Sequence, residues 1–306
     1  MAGHRSSSSS KGKFSRRVAP FVPLALALAM HPAITGFLGG RAAENEVSAG
    51  DLAMVQCEDA EDSAQCHAKY RSGCNTSSGE YDPYLNFLKN TIDFPASAAP
   101  ASFFDSLAQV RDKEKQLQDK QTELGETLTT HNHHDFQEPF KQLGEGSMQG
   151  VIGYLYGVTV ETGGKGETSN CKLHTNEEDV DYHIFVGFDA STAAKIRKKS
   201  NSATLADKGK SIVVEMTPHY RAAFHPEWTG DVVKSALGKK VKVVGQLMVD
   251  NDHNNKGDDC GFSGASSGCW RASIWELHPV TQFQVCNSPS NDCDLNSANW
   301  VDLQSP

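Results

Sequence analysis

The spacing of apolar positions changes character once along the chain. Phe103, Leu107, Val110, Leu117, Leu124 and Leu128 recur at spacings of four, three, seven, seven and four. With Glu114 and Gln121 in the gaps and many Lys, Gln and Glu between, this heptad-like stripe predicts one long helix over 103–130. It suits a helix packed on its own domain better than a dimerising coil, because a coil needs more clean heptads. From residue 150 the period becomes two. Ile152, Tyr154, Tyr156, Val158 and Val160 alternate with Gly153, Leu155, Gly157 and Thr159, predicting a long strand whose glycines permit curvature. Val180, Tyr182, Ile184, Val186 and Phe188 mark a second strand, and Ile212, Val214 and Met216 a third. Residues 240–250 and 271–285 read as a fourth and a fifth. Between the third and fourth, Thr229 is placed to cap a short helix ending before Gly238, with Trp228 stapled onto Val233.

Three strands, a helix and two strands form the order of a five-stranded OB-fold-like Greek-key barrel. The expected fold is therefore mainly β: that barrel, a long N-terminal helix and a cysteine-rich leading segment. The divisions expected are a signal peptide over 1–43, a cysteine-rich segment over 44–94, linker and long helix over 95–147, the barrel over 148–286, and a C-terminal tail over 287–306. Within the leading segment, Tyr84, Leu85, Phe87 and Leu88 predict one face of a short helix starting at Asp82-Pro83.

The first 17 residues are basic and serine-rich, residues 18–30 are apolar and uncharged, and small residues surround Ala43. This is the order of a secretory signal cleaved after Ala43, which makes the protein secreted or periplasmic. The alternative is an uncleaved N-terminal membrane anchor, which Pro20, Pro23, His31 and Pro32 disfavour. All eight cysteines (Cys57, Cys66, Cys74, Cys171, Cys260, Cys269, Cys286 and Cys293) lie beyond the cleavage point, which predicts disulfides. The expected pairs are Cys260–Cys269 and Cys286–Cys293, with Cys171 joined to one of the three N-terminal cysteines.

Five stretches carry a resemblance: residues 144–155 (GEGSMQGVIGYL), 169–171 (SNC), 179–184 (DVDYHI), 213–218 (VVEMTP) and 271–280 (RASIWELHPV). With YDPYLN at 81–86, they resemble a group of uncharacterised, mostly exported bacterial proteins with an OB-like domain. The resemblance spans residues 57–286. It implies fold and export, and nothing catalytic.

Strand parity then selects candidate chemistry. With Tyr182, Ile184, Ile212, Val214, Trp275 and Leu277 facing inward, Asp181, His183, Glu215, Glu276 and His278 must point outward. In an OB barrel the second, third and fifth strands are neighbours, so these residues share one patch near the usual ligand face, together with Phe185 and Arg271. His183, Glu215, His253 and His278 could hold a divalent metal, whose bound water could attack a phosphoester. The competing expectation is that Asp181–His183 and Glu276–His278 are hydrogen-bonded pairs covered by helix 103–130. The run His131-Asn132-His133-His134-Asp135 could bind a transition metal, or could simply suit a helix C-terminus.

The formal charge is −9, and the first 43 residues hold six Lys/Arg and no acid, so the remainder carries −15. That disfavours nucleic acid, despite aromatic residues at Phe185, Tyr220, Phe224 and Trp228. The basic run Lys195, Arg197, Lys198 and Lys199 reads as a solvated loop. No nucleophile elbow, P-loop or dinucleotide fingerprint is present. The expectation is a non-enzymatic exported binding or interaction module for a protein or saccharide. It needs no cofactor, though a divalent metal could be held, and no membrane after signal removal. The alternative is a metal-dependent, nuclease-like phosphodiesterase.

Overall fold

One strand long enough to serve two neighbours closes the barrel in the computed structural model. β2 (Met148–Val160) pairs antiparallel with β5 (Lys240–Val249) through Met148 to Tyr154, and with β3 (Tyr182–Gly187) through Tyr154 to Val160. A register shift between Leu155 and Gly157 bends the strand at this changeover. Gly153 sits where a Cβ would lie 2.6 Å from the Gly187 carbonyl oxygen, so no larger residue fits the crossing unchanged. β3 continues antiparallel to β4 (Ser211–Met216), β4 runs parallel to β6 (Trp275–Cys286), and β6 returns antiparallel to β5. The closed order is β2-β3-β4-β6-β5.

Two short strands extend this sheet. β1 (Phe103–Phe104) lies parallel to β2, and β7 (Trp300–Asp302) lies antiparallel to the end of β6. The segment expected as a C-terminal tail therefore joins the sheet. Alternation places Tyr182, Ile184, Val186, Ile212, Val214, Met216, Trp275 and Leu277 in one buried apolar cluster with Val151, Leu155, Val241 and Val243. Phe185 and Val213, of opposite parity, pack outside with Tyr156, Ala193 and Ile196.

The structure describes Cys57 and residues 61–74, 82–94 and 99–304. The expected signal segment, and the anchor alternative with it, lie outside the described residues. Among those residues no helix is long and apolar enough to cross a membrane.

The helix expected over 103–130 is not found at that length. Phe103 and Phe104 are spent on β1, and α3 occupies only Leu107–Leu124, ended by Gly125 at φ 68°. Val110, Glu114 and Leu117 are its buried residues, whereas Leu124 is exposed and Leu128 reaches the core from beyond the helix. The basic run expected as a solvated loop lies instead in the C-terminal half of α4 (Ala190–Lys199). Asp189 caps that helix, Thr192, Ala193 and Ile196 bury its inner face, and cations near its C-terminus complement the helix dipole. The short helix after Thr229 spans Gly230–Lys234, and Thr229 Oγ1 accepts from the Val232 N–H as expected.

Two helices of the leading segment, α1 (Ser63–Lys69) and α2 (Pro83–Lys89), complete the part that concerns the site. Asp82 Oδ1 caps α2 by accepting from the Tyr84 and Leu85 N–H groups, at 3.0 and 3.1 Å. The disulfides are Cys57–Cys74, Cys66–Cys171, Cys260–Cys269 and Cys286–Cys293. Cys66–Cys171 ties α1 to the loop between β2 and β3, 105 residues away in sequence. Four such bonds belong to an oxidising compartment. Non-reducing mass spectrometry of the folded protein should find no alkylatable thiol and these four linkages. A population with free Cys66 and Cys171 would contradict the arrangement.

Candidate functional site

The outward residues of β3, β4 and β6 meet a cover made from elsewhere in the chain. Cross-strand register places His183 opposite Glu215 and brings Val213 beside Glu276. The resulting patch is not a solvated face. Asp181, Glu215, Arg271, Glu276 and His278 are each no more than 1% exposed, and His183 is 8% exposed. Helix α3 is not the lid over this patch. It sits to one side, where Glu114 accepts from the Ser273 hydroxyl and the Ile274 N–H. α2 and the loop 161–173 bring the covering charges instead. Lys89 Nζ, at the end of α2, lies 3.4 Å from Asp250 Oδ2 and 3.6 Å from Glu167 Oε2. Asn86 and Asn90 fasten this helix to the loop, donating to Thr168 Oγ1 and the Ser169 carbonyl, both at 2.9 Å.

Burial makes each unpaired charge costly, and the pairings follow from that. Arg271 Nη2 donates to Glu276 Oε2 at 2.5 Å, its Nε donates to the Ser273 carbonyl, and its Nη1 lies 3.7 Å from Asp250. His278 Nδ1 is 3.0 Å from Glu276 Oε1 and 3.2 Å from Glu215 Oε2. His183 lies between Glu215, 3.0 Å from Nε2, and Glu161, 3.1 Å from Nδ1. The expected Glu276–His278 pair is therefore present. The expected Asp181–His183 pair is not, because Asp181 accepts from Asn170 Nδ2 at 2.5 Å and faces His278 Nε2 at 3.7 Å.

These surroundings set the charge states. Burial opposes charge on His183, but Glu215 and Glu161 outweigh it and hold the imidazole well above its ordinary pKa. Burial pushes His278 down to about 4, so it is neutral near pH 7. Burial, reinforced by the charges of Glu167 and Glu215, drives Asp181 well above the carboxylate range. For Asp250 burial pulls the same way, yet Lys89, His253 and Arg271 hold it well below its ordinary value.

Above this network lies an open pocket of about 640 Å³. Its floor is the outer face of β3, with His183 and Phe185, and its walls include Glu161, Glu167, Lys208 and Trp270. Lys89, Glu167 and His183 belong to both the network and the pocket. Phe185 meets Trp270 edge-on with ring centroids 5.9 Å apart, and Lys208 Nζ sits 4.1 Å above the Phe185 ring. Trp270 Nε1 donates to Asp258 at 2.8 Å, which holds the indole in place.

His253 reaches the pocket rim, as the sequence suggests, but spends Nδ1 on Asp258 at 3.0 Å. It stands apart from His183, Glu215 and His278, so the four do not form one ligand set. The groups that do converge are Glu167, His183 and Glu215; Asp181, Glu215 and His278; and Glu215, Asp250 and Glu276. The histidine run at 131–134 is dispersed. His133 is buried between Glu145 and Asn251, His131 lines the pocket, and His134 is paired with Asp135 near the surface.

Sequence reasoning missed Lys89, Glu161, Glu167, Asp250 and Trp270. Asp250 could have been found, since it shares outward parity with Met248, whose side chain packs against α2. Lys89 and Glu167 carry no comparable local signal. No family model, curated protein or solved structure matches the chain.

Proposed function

We propose that this protein is an exported, non-enzymatic binding module with an OB-fold-like barrel, and that it takes a small neutral polar ligand of the saccharide class over β3. The observation that carries the reading is the composition of the pocket. Its lining includes three carboxylates (Glu161, Glu167, Asp252), three lysines (Lys89, Lys172, Lys208) and the aromatic rings of Phe185 and Trp270. Balanced donors and acceptors beside aromatic surface suit hydroxyl groups and the apolar faces of a sugar ring better than a polyanion. The volume also falls in the usual range for small-ligand pockets, about 300–1,000 Å³. An oxidising compartment, implied by the four disulfides, is where such ligands are met.

Burial weighs against the hydrolase alternative. Glu215, Glu276 and His278 are fully enclosed, so a substrate phosphoester would have no route to them without displacing α2. A panel of immobilised neutral oligosaccharides, probed with labelled protein, tests the proposal. At least one member should bind, and Trp270→Ala should weaken that binding tenfold or more while leaving the fold unchanged. Failure of every neutral glycan, or equal binding by the variant, would remove the saccharide reading. Turnover of a generic phosphodiester in the presence of zinc would favour the hydrolase instead.

A further inference from the structure

The geometry points to a structural divalent-metal site of the zinc class, held by Asp181, Glu215 and His278 beneath the pocket. One ligand atom from each of the three lies within 4.8 Å of the others, and all three residues are buried. They stand on neighbouring strands: Asp181 immediately before β3, Glu215 on β4 and His278 on β6.

Hydrogen bonding elsewhere leaves two of these ligand atoms aimed at each other. Glu276 engages His278 at Nδ1, which places the proton there and leaves the Nε2 lone pair unused. Asn170 engages Asp181 through Oδ2, which leaves Oδ1 unused. His278 Nε2 and Asp181 Oδ1 have no hydrogen-bond partner although buried, and they face each other at 3.7 Å. Glu215 stands beside them, its Oε2 3.2 Å from His278 Nδ1. The 3.7 Å separation is too long for a shared proton to bridge as a hydrogen bond. Ligands bound at about 2.0–2.2 Å from one ion stand roughly 3.0–3.6 Å apart, so 3.7 Å needs only a small adjustment.

Two carboxylates and an imidazole suit zinc or a similar transition ion better than calcium, which prefers oxygen alone. Glu276, itself held by Arg271, orients the imidazole as carboxylates do behind many metal-bound histidines. Enclosed from solvent, the ion would clamp three strands together and take no part in ligand turnover. The site does not depend on what the pocket binds.

Purified protein with its disulfides intact, stripped with chelator and dialysed against zinc, tests this. One zinc per chain should remain. X-ray absorption should show nitrogen and oxygen at about 2.0–2.2 Å with a single imidazole. His278→Gln and Asp181→Asn should each weaken zinc binding at least tenfold. Should either variant fail to fold, the wild-type spectrum decides. The proposal is overturned by no retained zinc, by two or more imidazoles around it (a surface histidine site), or by folded variants that bind as tightly as the wild type.

Discussion

Arg271→Met should lower folding stability by about 3–5 kcal/mol, the usual cost of removing one partner from a buried ion pair. The methionine fills much of the same space, so the loss reads charge rather than volume. Arg271 is fully buried, and its guanidinium contacts Glu276 at 2.5 Å, the Ser273 carbonyl, and Asp250 at 3.7 Å. Without it, Lys89 alone among the buried strong cations faces the carboxylates of Asp250 and Glu276. Burial and the Asp250 charge already push Glu276 upward, so the variant should fold with Glu276 protonated. The double change Arg271→Met with Glu276→Gln should therefore recover a substantial part of the loss. Urea unfolding of the oxidised protein measures all three chains. A single variant within 1 kcal/mol of the wild type would show that the network is not held by this pairing.

Stability should also fall as the solution becomes alkaline, through His133. Its Nε2 is 2.9 Å from Glu145 and its Nδ1 2.8 Å from Asn251, inside a wall made by the Tyr84 and Phe140 rings. Asp82 lies close as well, accepting the His133 backbone N–H at 3.0 Å. Burial alone would lower the imidazole, but Glu145 in particular raises it from 6.5 to about 9. A folded-state pKa above the unfolded one means the protonated form stabilises the fold. That contribution is complete below pH 6.5 and disappears as pH rises through about 9. Its size, from the shift, is about 3 kcal/mol. Unfolding free energy measured from pH 6 to pH 10 should decline by roughly that amount, and His133→Gln should flatten the decline. An unchanged slope in the variant, or an NMR titration of His133 near 6.5, would show that Glu145 does not hold the proton there.

Much of the site was readable as parity. In a strand the side chains alternate, so once Tyr182, Ile184, Val214 and Leu277 are assigned to the core, Asp181, His183, Glu215, Glu276 and His278 have nowhere to go but the other face. Local chemistry likewise determined the Asp82 and Thr229 caps and the two short-range disulfides, because every partner lies within nine residues. What parity could not reach was the identity of the cover. Lys89 meets Asp250 across 161 residues, and Cys66 meets Cys171 across 105. Such pairs depend on the path of the connecting loops, which no periodicity encodes. The same limit explains the shortened α3: the stripe from Phe103 to Leu128 is continuous in sequence, but β1 pairing and the Gly125 turn claim its two ends. Sequence alone thus determined which residues turn away from the barrel core. Tertiary structure alone decided that they are buried, which cations reach them, and that a pocket lies above them, because burial is a property of what the rest of the chain lays over a face.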